Sequence, residues 1–301
     1  MKILILTNTD ISNKNANGLA RIICNYLEYL NSKNIDYKII NISDKKLIKT
    51  KKSADKIKRY ILSFVPYVTI NKYYSFQQIY NYIKPYLLSY DKFQIFGYAL
   101  DYKVLNMIKK HNLDINLILI DSLTLLRFRS IIYTFNLLKL PINIFELIKC
   151  FNYEIYAKKN FKKVSYVSRV DANFVSCFKS KNTKINVISN GVDFDYYCPS
   201  LKEIGSMIRL IFYGDLNYQP NKDCVRYVVN RLNNLLLKSI SMPKYEIFLI
   251  GKSDEINYLN NFKNVNATGF VNDLRKYFNS KTIFICPMRT GVGVKNKVLE
   301  S

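Results

Sequence analysis

The sequence predicts an α/β protein with two Rossmann-like lobes, of which the second is incomplete. Short apolar runs typical of buried strands alternate with amphipathic helical patterns along the 301 residues. Such alternation favours parallel sheets with helices on both faces. It is interrupted over residues 191–206, a predicted interdomain linker that contains Pro199 and Gly205 and has no clear period, and it resumes at Ile208. A chain of this length also favours two domains.

The first lobe, residues 1–190, is expected to contain six strands. We predict them at residues 2–7, 36–42, 93–98, 115–120, 163–167 and 185–189. Helical patterns fall between them, at residues 19–32, 76–89 and 102–110, in stretches up to Lys159, and from Asp171 onward. A regular βα alternation of this kind places the strands in one parallel sheet.

The second lobe, residues 207–301, shows four candidate strands, at residues 208–213, 245–250, 264–267 and 282–286. A doubly wound nucleotide-binding half usually has about six strands. We therefore expect this lobe to be truncated at its carboxyl end.

Composition favours a cytoplasmic protein with reduced cysteines. No run of eighteen apolar residues is present, and Met1 is followed too soon by polar residues for a signal peptide. The six cysteines are scattered without a C-x-x-C pair, which is typical of small core residues rather than disulfides or metal ligands. The one histidine, His111, lies in a polar Lys-Lys-His-Asn string, so a histidine-based metal site or catalytic triad is excluded.

The formal net charge of +24 is concentrated in part at residues 45–59, where eight basic residues face one Asp. Such a cluster suits an anionic membrane surface or a nucleic acid. The mixed apolar stretch at residues 131–149 is either a segment of the bilayer interface or a core-facing helix pair split at Pro141. No RNA-binding pattern of aromatic, glycine and basic residues is present, so we expect peripheral contact with the inner membrane surface and no nucleic acid.

The last fifteen residues carry the clearest functional chemistry. An apolar strand ending at Cys286 leads into a glycine-rich turn, and Lys295 and Lys297 then open a short helical pattern that ends at Glu300. Glycines let a backbone close on a ligand, and lysines supply point charges for phosphate. A carboxylate one turn later suits ribose hydroxyls. The alternative is a surface turn followed by a basic helix.

This string, P-x-R-x-G-x-G-x-K-x-K-x-L-E at residues 287–300, resembles the donor-site motif of family 4 glycosyltransferases, in particular a bacterial sugar-transferase subgroup. Four further strings resemble that subgroup in the same order along the chain. They are I-D-S-L at residues 120–123 with Glu154 and V-S-R-V-D at 167–171, N-G-V-D at 190–193, the loop at 212–223, and T-G-F-V-N-D at 268–273 with Tyr277.

The resemblance implies the GT-B fold, with an acceptor-side domain at residues 1–190 and a partial nucleotide-sugar-binding domain at residues 207–301. It also implies a retaining, metal-independent transfer of sugar from a nucleoside diphosphate sugar, without a cofactor. It implies donor-binding roles for one residue set and catalytic roles for Glu300 and Asp121. The donor-binding set is Gly18, Gly214, Lys222, Arg289, Gly291, Gly293, Lys295 and Lys297. The broader family's arginine and lysine in the loop after the second lobe's first strand have no clear equivalents, since Asp215 and Pro220 fall there, and Lys222 is named as their substitute. Many members of the broader family have a second glutamate where this chain has Val292, so only Glu300 remains, as in the subgroup.

The strand ends give a second reason for naming some of these positions. Ligands of doubly wound sheets bind outside the carboxyl ends of the strands, where Gly18, Asp121, Gly214 and the segment after Cys286 are expected. No G-x-G-x-x-G follows the first strand, which argues against a nicotinamide enzyme. Asp121 has an alternative role as the N-cap of the next helix.

We therefore expect a glycosyltransferase whose partners are a nucleotide sugar and a lipid-linked or saccharide acceptor of the cell envelope. Two other functions stay open at this point. One is an inactive, truncated remnant that only binds nucleotide sugars, and the other is a basic protein that adheres to membrane or nucleic acid through a Rossmann-like scaffold.

Overall fold

The computed structural model describes residues 1–12, 18–42, 76–100, 102–111, 113–133, 136–178, 183–198, 207–241, 243–278 and 281–301. The basic cluster at residues 45–59 lies outside these ranges, as do Pro199 and Gly205 of the predicted linker. The chain divides into two compact units. The first comprises Met1–Asn190 with Val292–Val294, and the second Gly191–Gly291 with Lys295–Ser301.

The first unit contains a parallel sheet of six strands among its described residues. The strands are β1 (Lys2–Thr7), β2 (Asp36–Asn41), β3 (Lys92–Phe96), β4 (Asp114–Ile120), β5 (Lys163–Tyr166) and β6 (Lys184–Val187). They lie in the order β2-β1-β3-β4-β5-β6, and every neighbouring pair is parallel. The chain therefore reverses its direction across the sheet between β1 and β3, which is the position where doubly wound folds open a ligand crevice.

Among the residues that the structure describes, six α-helices accompany this sheet: α1 (Gly18–Ser32), α2 (Phe76–Ile83), α3 (Tyr102–Lys109), α4 (Leu123–Tyr133), α5 (Leu140–Asn160) and α6 (Arg169–Ser176). The central strands β1 and β4 are apolar and largely buried, as parallel strands between two helix layers must be, whereas the edge strands β2 and β6 are mostly half-buried or exposed. One cluster contains Leu4, Phe93 and Leu117, and a second, on β1 and α1, contains Ile5 and Ile23.

The second unit contains a parallel sheet of four strands among its described residues: β7 (Ile208–Tyr213), β8 (Tyr245–Ile250), β9 (Val265–Gly269) and β10 (Thr282–Phe284). Their order is β10-β7-β8-β9. The chain runs outward from β7 to β9 and then returns to the other side of β7, so its direction reverses between β7 and β10. The carboxyl ends of these two strands, which carry different predicted motifs, are thereby neighbours.

Helices α7 (Gln219–Tyr227), α8 (Asn233–Lys238), α9 (Ile256–Leu259) and α10 (Asn296–Leu299) complete this unit, and a five-residue π-helical turn, Val228–Leu232, joins α7 to α8. Its core contains Phe212, Val228 and Leu249, all fully buried. In the part of the chain that the structure describes, no helix is long and apolar enough to cross a bilayer.

Candidate functional site

In the second unit, Lys297 lies directly beside Gly214. Gly214 follows β7 with a φ of +140°, and a Cβ added to it would stand 2.9 Å from the Lys297 Nζ and 3.1 Å from the Asn221 Nδ2. Only a residue without a side chain permits this approach at this φ. The loop after β7 and the carboxyl-terminal motif, about eighty residues apart in sequence, thus form one structure because β7 and β10 are neighbours.

The Lys297 ammonium group is held in place by a polar and an aromatic contact. Its Nζ donates to the Asn221 Oδ1 at 2.9 Å and lies 4.3 Å from the centre of the Phe212 ring. Asn221 is oriented in turn by donating its Nδ2 to the Asp215 carbonyl oxygen at 2.7 Å. Burial lowers the pKa of Lys297, because the charged form loses hydration there. An anion that approached this ammonium would restore part of the lost solvation.

Glu300 is fixed at the end of α10 by Tyr213, the last residue of β7. The Tyr213 hydroxyl lies 3.0 Å from the Glu300 Oε2 and 3.0 Å from the Lys297 carbonyl oxygen. Lys295 precedes α10 as its N-cap residue and Glu300 follows it as its C-cap residue. The predicted helical turn from Lys295 to Glu300 is therefore present, and its two lysines and its carboxylate belong to one short element.

The glycine turn before α10 has a left-handed backbone. Gly291 has a φ of +101°, and a Cβ there would stand 3.0 Å from the Lys295 Nζ. Gly293 has a φ of +74° and belongs to the three residues that group with the first unit. Within that unit its N–H donates to the Asp171 Oδ2 at 2.9 Å, and a Cβ would overlap the Asp121 carboxylate. Both positions exclude a side chain on these grounds.

Two predicted donor-site cations are engaged by carboxylates instead. The Lys222 Nζ lies 2.6 Å from the Glu255 Oε1, and this contact lowers the pKa of Glu255. Arg289 donates to Asp223 from both its Nε and its Nη2, the latter at 2.5 Å. A surface depression of about 460 Å³ next to Glu255 is lined by none of the predicted donor-binding residues. Of the predicted cations, the structure therefore associates Lys295 and Lys297, and not Lys222 or Arg289, with the glycine positions.

Asp121, in the first unit, directly follows β4, and the backbone is irregular at the end of that strand. The preceding residue, Ile120, has a φ of +67°, and the pairing of β4 with β5 shifts register there. Ser122, not Asp121, caps α4, because the Ser122 Oγ accepts the Leu125 N–H at 3.2 Å. The capping role considered for Asp121 is therefore taken by its neighbour.

A buried polar network lies behind Asp121. Glu154 on α5 is fully buried and accepts from the Tyr98 hydroxyl at 2.5 Å, from the Ser122 Oγ at 2.9 Å and from the Thr124 N–H at 3.4 Å. The Tyr98 hydroxyl also lies 3.0 Å from the Asp121 carbonyl oxygen. Burial raises the pKa of Glu154, and the hydrogen bonds from Tyr98 and Ser122 offset part of that effect.

This network joins the I-D-S-L string at residues 120–123 to Glu154 and to the V-S-R-V-D string at residues 167–171. Asp171 on α6 accepts the Ser122 N–H at 3.2 Å, so the strings containing Asp121, Glu154 and Asp171 converge at the start of α4. No sequence motif identifies Tyr98 as a member of this network, because a tyrosine two residues after a strand is not distinctive. Gly18 opens α1 and is exposed. Among the described residues, no group of three or more His, Cys, Asp or Glu is placed to hold a metal ion.

Comparison of the sequence with known protein families and curated proteins gives two findings. Residues 208–301 match the family model described as group 1 glycosyl transferases. No curated protein matches the chain in sequence.

Among solved structures, the chain is similar to sucrose-phosphate synthase from Thermosynechococcus elongatus, with a TM-score of 0.55 and 12% identity over 90% of this chain and 70% of that one. It is also similar to TarM, with a TM-score of 0.55 and 10% identity over 91% of this chain and 78% of that one. At such identities the likeness shows the fold, and it confirms the predicted α/β class with the parallel sheets of GT-B glycosyltransferases.

Proposed function

We propose that this protein is a retaining glycosyltransferase that moves a sugar from a nucleoside diphosphate sugar to a hydroxyl acceptor without a metal ion. The observation that carries the proposal is the contact of Lys297 with Gly214 and Asn221, inside the segment that matches group 1 glycosyl transferases. A cation is there ordered against a glycine turn at the carboxyl ends of two adjacent parallel strands, which is where such sheets bind ligands.

The proposed chemistry follows from the charge that develops as the donor breaks. The bond between the anomeric carbon and the diphosphate oxygen cleaves, so negative charge grows on the diphosphate while the sugar becomes oxocarbenium-like. Lys295 and Lys297 stabilise that leaving group, and a cation already ordered in a partly desolvated site does so without reorganising. The acceptor oxygen bonds to the anomeric carbon on the face that the diphosphate leaves, and the departing phosphate oxygen takes the acceptor proton. Bond formation on that same face keeps the anomeric configuration.

The two proposed catalytic carboxylates have different surroundings. Glu300 is held by Tyr213 beside Lys297, and we assign it to hydroxyl groups of the donor. Asp121 stands at the end of β4 on the buried Tyr98 and Glu154 network, and we assign it to the acceptor side. Gly18, Gly291 and Gly293 give backbone access to the ligand, whereas Lys222 and Arg289 must leave their carboxylate partners before they can contact a diphosphate.

The acceptor we propose is a lipid-linked or saccharide hydroxyl in cell-envelope polysaccharide or glycolipid synthesis, used on the cytoplasmic face of the inner membrane. The chain's net charge of +24 supports contact with an anionic surface.

The alternative function is nucleotide-sugar binding without catalysis. The ion pairs of Lys222 with Glu255 and of Arg289 with Asp223 favour it, since they leave Lys295 and Lys297 to bind the diphosphate but withhold two cations from the charge that develops on it during transfer. Binding without transfer would support this alternative.

A calorimetric titration with a panel of nucleoside diphosphates tests the donor site. We expect one member to bind, and Lys297→Met to weaken that binding about 10- to 100-fold, the value of one hydrogen bond from a charged donor. Lys238→Met provides a matched control, because Lys238 is an exposed lysine at the end of α8 in the same unit. The proposal fails if no nucleotide binds, or if Lys297→Met binds as tightly as Lys238→Met while both variants are folded.

A further inference from the structure

The pair of helices formed by α4 and α5 extends beyond the packed core. Both helices are buried where they meet the sheet, through Thr124 and Leu125 on α4 and from Lys149 onward on α5. Between residues 126 and 148, none of the described residues is buried. The predicted helix pair therefore exists, but it does not face a core over this length. We call the described residues of this stretch, 126–133 and 136–148, the distal hairpin.

The distal hairpin is apolar although it is exposed. Leu137 and Leu138, in the turn between the helices, are 75% and 90% exposed. Six further large apolar side chains are at least two-fifths exposed on the same segment: Phe128, Ile132, Tyr133, Ile142, Ile144 and Ile148. Single exposed apolar residues are ordinary, whereas a cluster of this size marks an interaction surface.

The charges around the hairpin are mostly positive. Within residues 126–148 the chain carries three basic residues, Arg127, Arg129 and Lys139, and a single acidic one, Glu146. Glu146 is paired with Arg127 at 2.7 Å, a contact that also ties α4 to α5. The apolar surface is therefore accompanied by net positive charge, on a chain that is itself strongly basic.

We infer that the distal hairpin is a membrane-docking element, with Leu137 and Leu138 entering the acyl region of an anionic bilayer. Apolar side chains at a tip with cations behind them match the interface, where the former lose contact with water and the latter meet anionic headgroups. A second copy of this chain fits less well, because it would bring a like charge to the same surface. The inference does not depend on sugar transfer, since vesicle binding is measured without donor or acceptor.

Vesicle flotation tests this inference directly. Wild-type protein should bind vesicles of phosphatidylcholine with phosphatidylglycerol more tightly than vesicles of phosphatidylcholine alone. Leu137→Ser with Leu138→Ser should weaken binding to the mixed vesicles about 100-fold, if each leucine contributes about tenfold through its burial. The matched control is Leu88→Ser with Ile240→Ser, which removes two apolar residues of similarly high exposure, 87% and 104%, from elsewhere on the chain. Equal binding by the two double variants, or no binding by the wild type, would overturn the inference.

A fluorescence experiment reports the position of the tip even if the double variant is unstable. The chain has no tryptophan, so Leu138→Trp introduces a single selective probe, and Leu88→Trp is its control. With mixed vesicles, the probe at position 138 should shift to the blue and be quenched by brominated acyl chains, and the probe at position 88 should not. Docking by the hairpin is refuted if the probe at position 138 stays unquenched while the protein is bound, which points to another membrane contact. It is also refuted if the probe shifts without vesicles as protein concentration rises, which points to self-association.

Discussion

Replacing Glu154 by alanine should destabilise the first unit strongly, although the residue contacts no predicted ligand. Glu154 accepts hydrogen bonds from the Tyr98 hydroxyl, the Ser122 hydroxyl and the Thr124 N–H, all in a buried site. Glu154→Ala leaves three donors without that acceptor. A buried donor that loses its partner costs about 1–3 kcal/mol. Relief of the carboxyl group's desolvation offsets part of the sum, so we expect a net loss of about 3 kcal/mol.

The same helix supplies the control. Glu146 on α5 forms a half-exposed ion pair with Arg127, so Glu146→Ala should cost less than about 1 kcal/mol. Urea unfolding followed by circular dichroism gives both values from the shift in midpoint, provided that the slope is unchanged. Equal shifts for the two alanine variants would refute the account of the buried network, because they would show that Tyr98 and Ser122 find other partners at no cost.

Two further predictions concern pH and the packing of Gly251, which follows β8, against Gly214. Burial raises the pKa of Glu154 above its ordinary 4.5, so the folded state binds this proton more tightly than the unfolded state. The contribution of this proton to the free energy of unfolding is therefore complete below pH 4.5. It is lost as pH rises through the folded-state pKa. Glu154→Gln should flatten that fall in the urea midpoint, and an unchanged pH profile would contradict the assignment. Gly251→Ala should destabilise the second unit by about 3 kcal/mol or more, since its Cβ would lie 1.8 Å from the Gly214 carbonyl oxygen at a φ of +140°. Gly191→Ala, whose Cβ meets nothing within 4 Å, should leave thermal unfolding nearly unchanged, and similar unfolding of the two variants would argue against this packing.

The strands could be predicted from the sequence because parallel strands buried on both faces are continuous apolar runs. The bounds predicted for β1, β7 and β8 are those observed. The helix predicted over residues 76–89 is shorter, ending at Ile83, because Pro85 follows and the chain continues as a 3₁₀ turn, Lys84–Tyr86. Helical periodicity alone does not reveal that end, since the apolar spacing continues past the proline.

The candidate site could be predicted only in part. Local motifs indicated the glycines and the lysines of the carboxyl-terminal segment, because their spacing lies within one stretch of chain. The partners that orient these groups lie far away in sequence: Asn221 contacts Lys297, and Glu255 pairs with Lys222. Such pairings depend on which strands are neighbours, and the position of β10 beside β7 is not visible in the order of the motifs. The role of Tyr98 was missed for the same reason.

The exposure of the distal hairpin likewise could not be decided from sequence. The apolar stretch at residues 131–149 fits a core-facing helix pair as well as an interfacial one, since both need the same side chains. Only the packing around α4 and α5 shows that the described residues from 126 to 148 have no core behind them.

Sugar transfer itself is the most direct test of the central claim. The protein is incubated with labelled nucleoside diphosphate sugars and a lipid-linked or saccharide acceptor fraction from bacterial envelopes, with a chelator present. The account predicts release of nucleoside diphosphate and a labelled glycoside of unchanged anomeric configuration, measured by chromatography and NMR. Glu300→Ala should abolish most of this transfer, whereas Lys110→Met, at an exposed lysine outside the motifs, should retain it. Transfer that is equal in the two variants, or nucleotide binding without any transfer across the whole panel, would contradict the account.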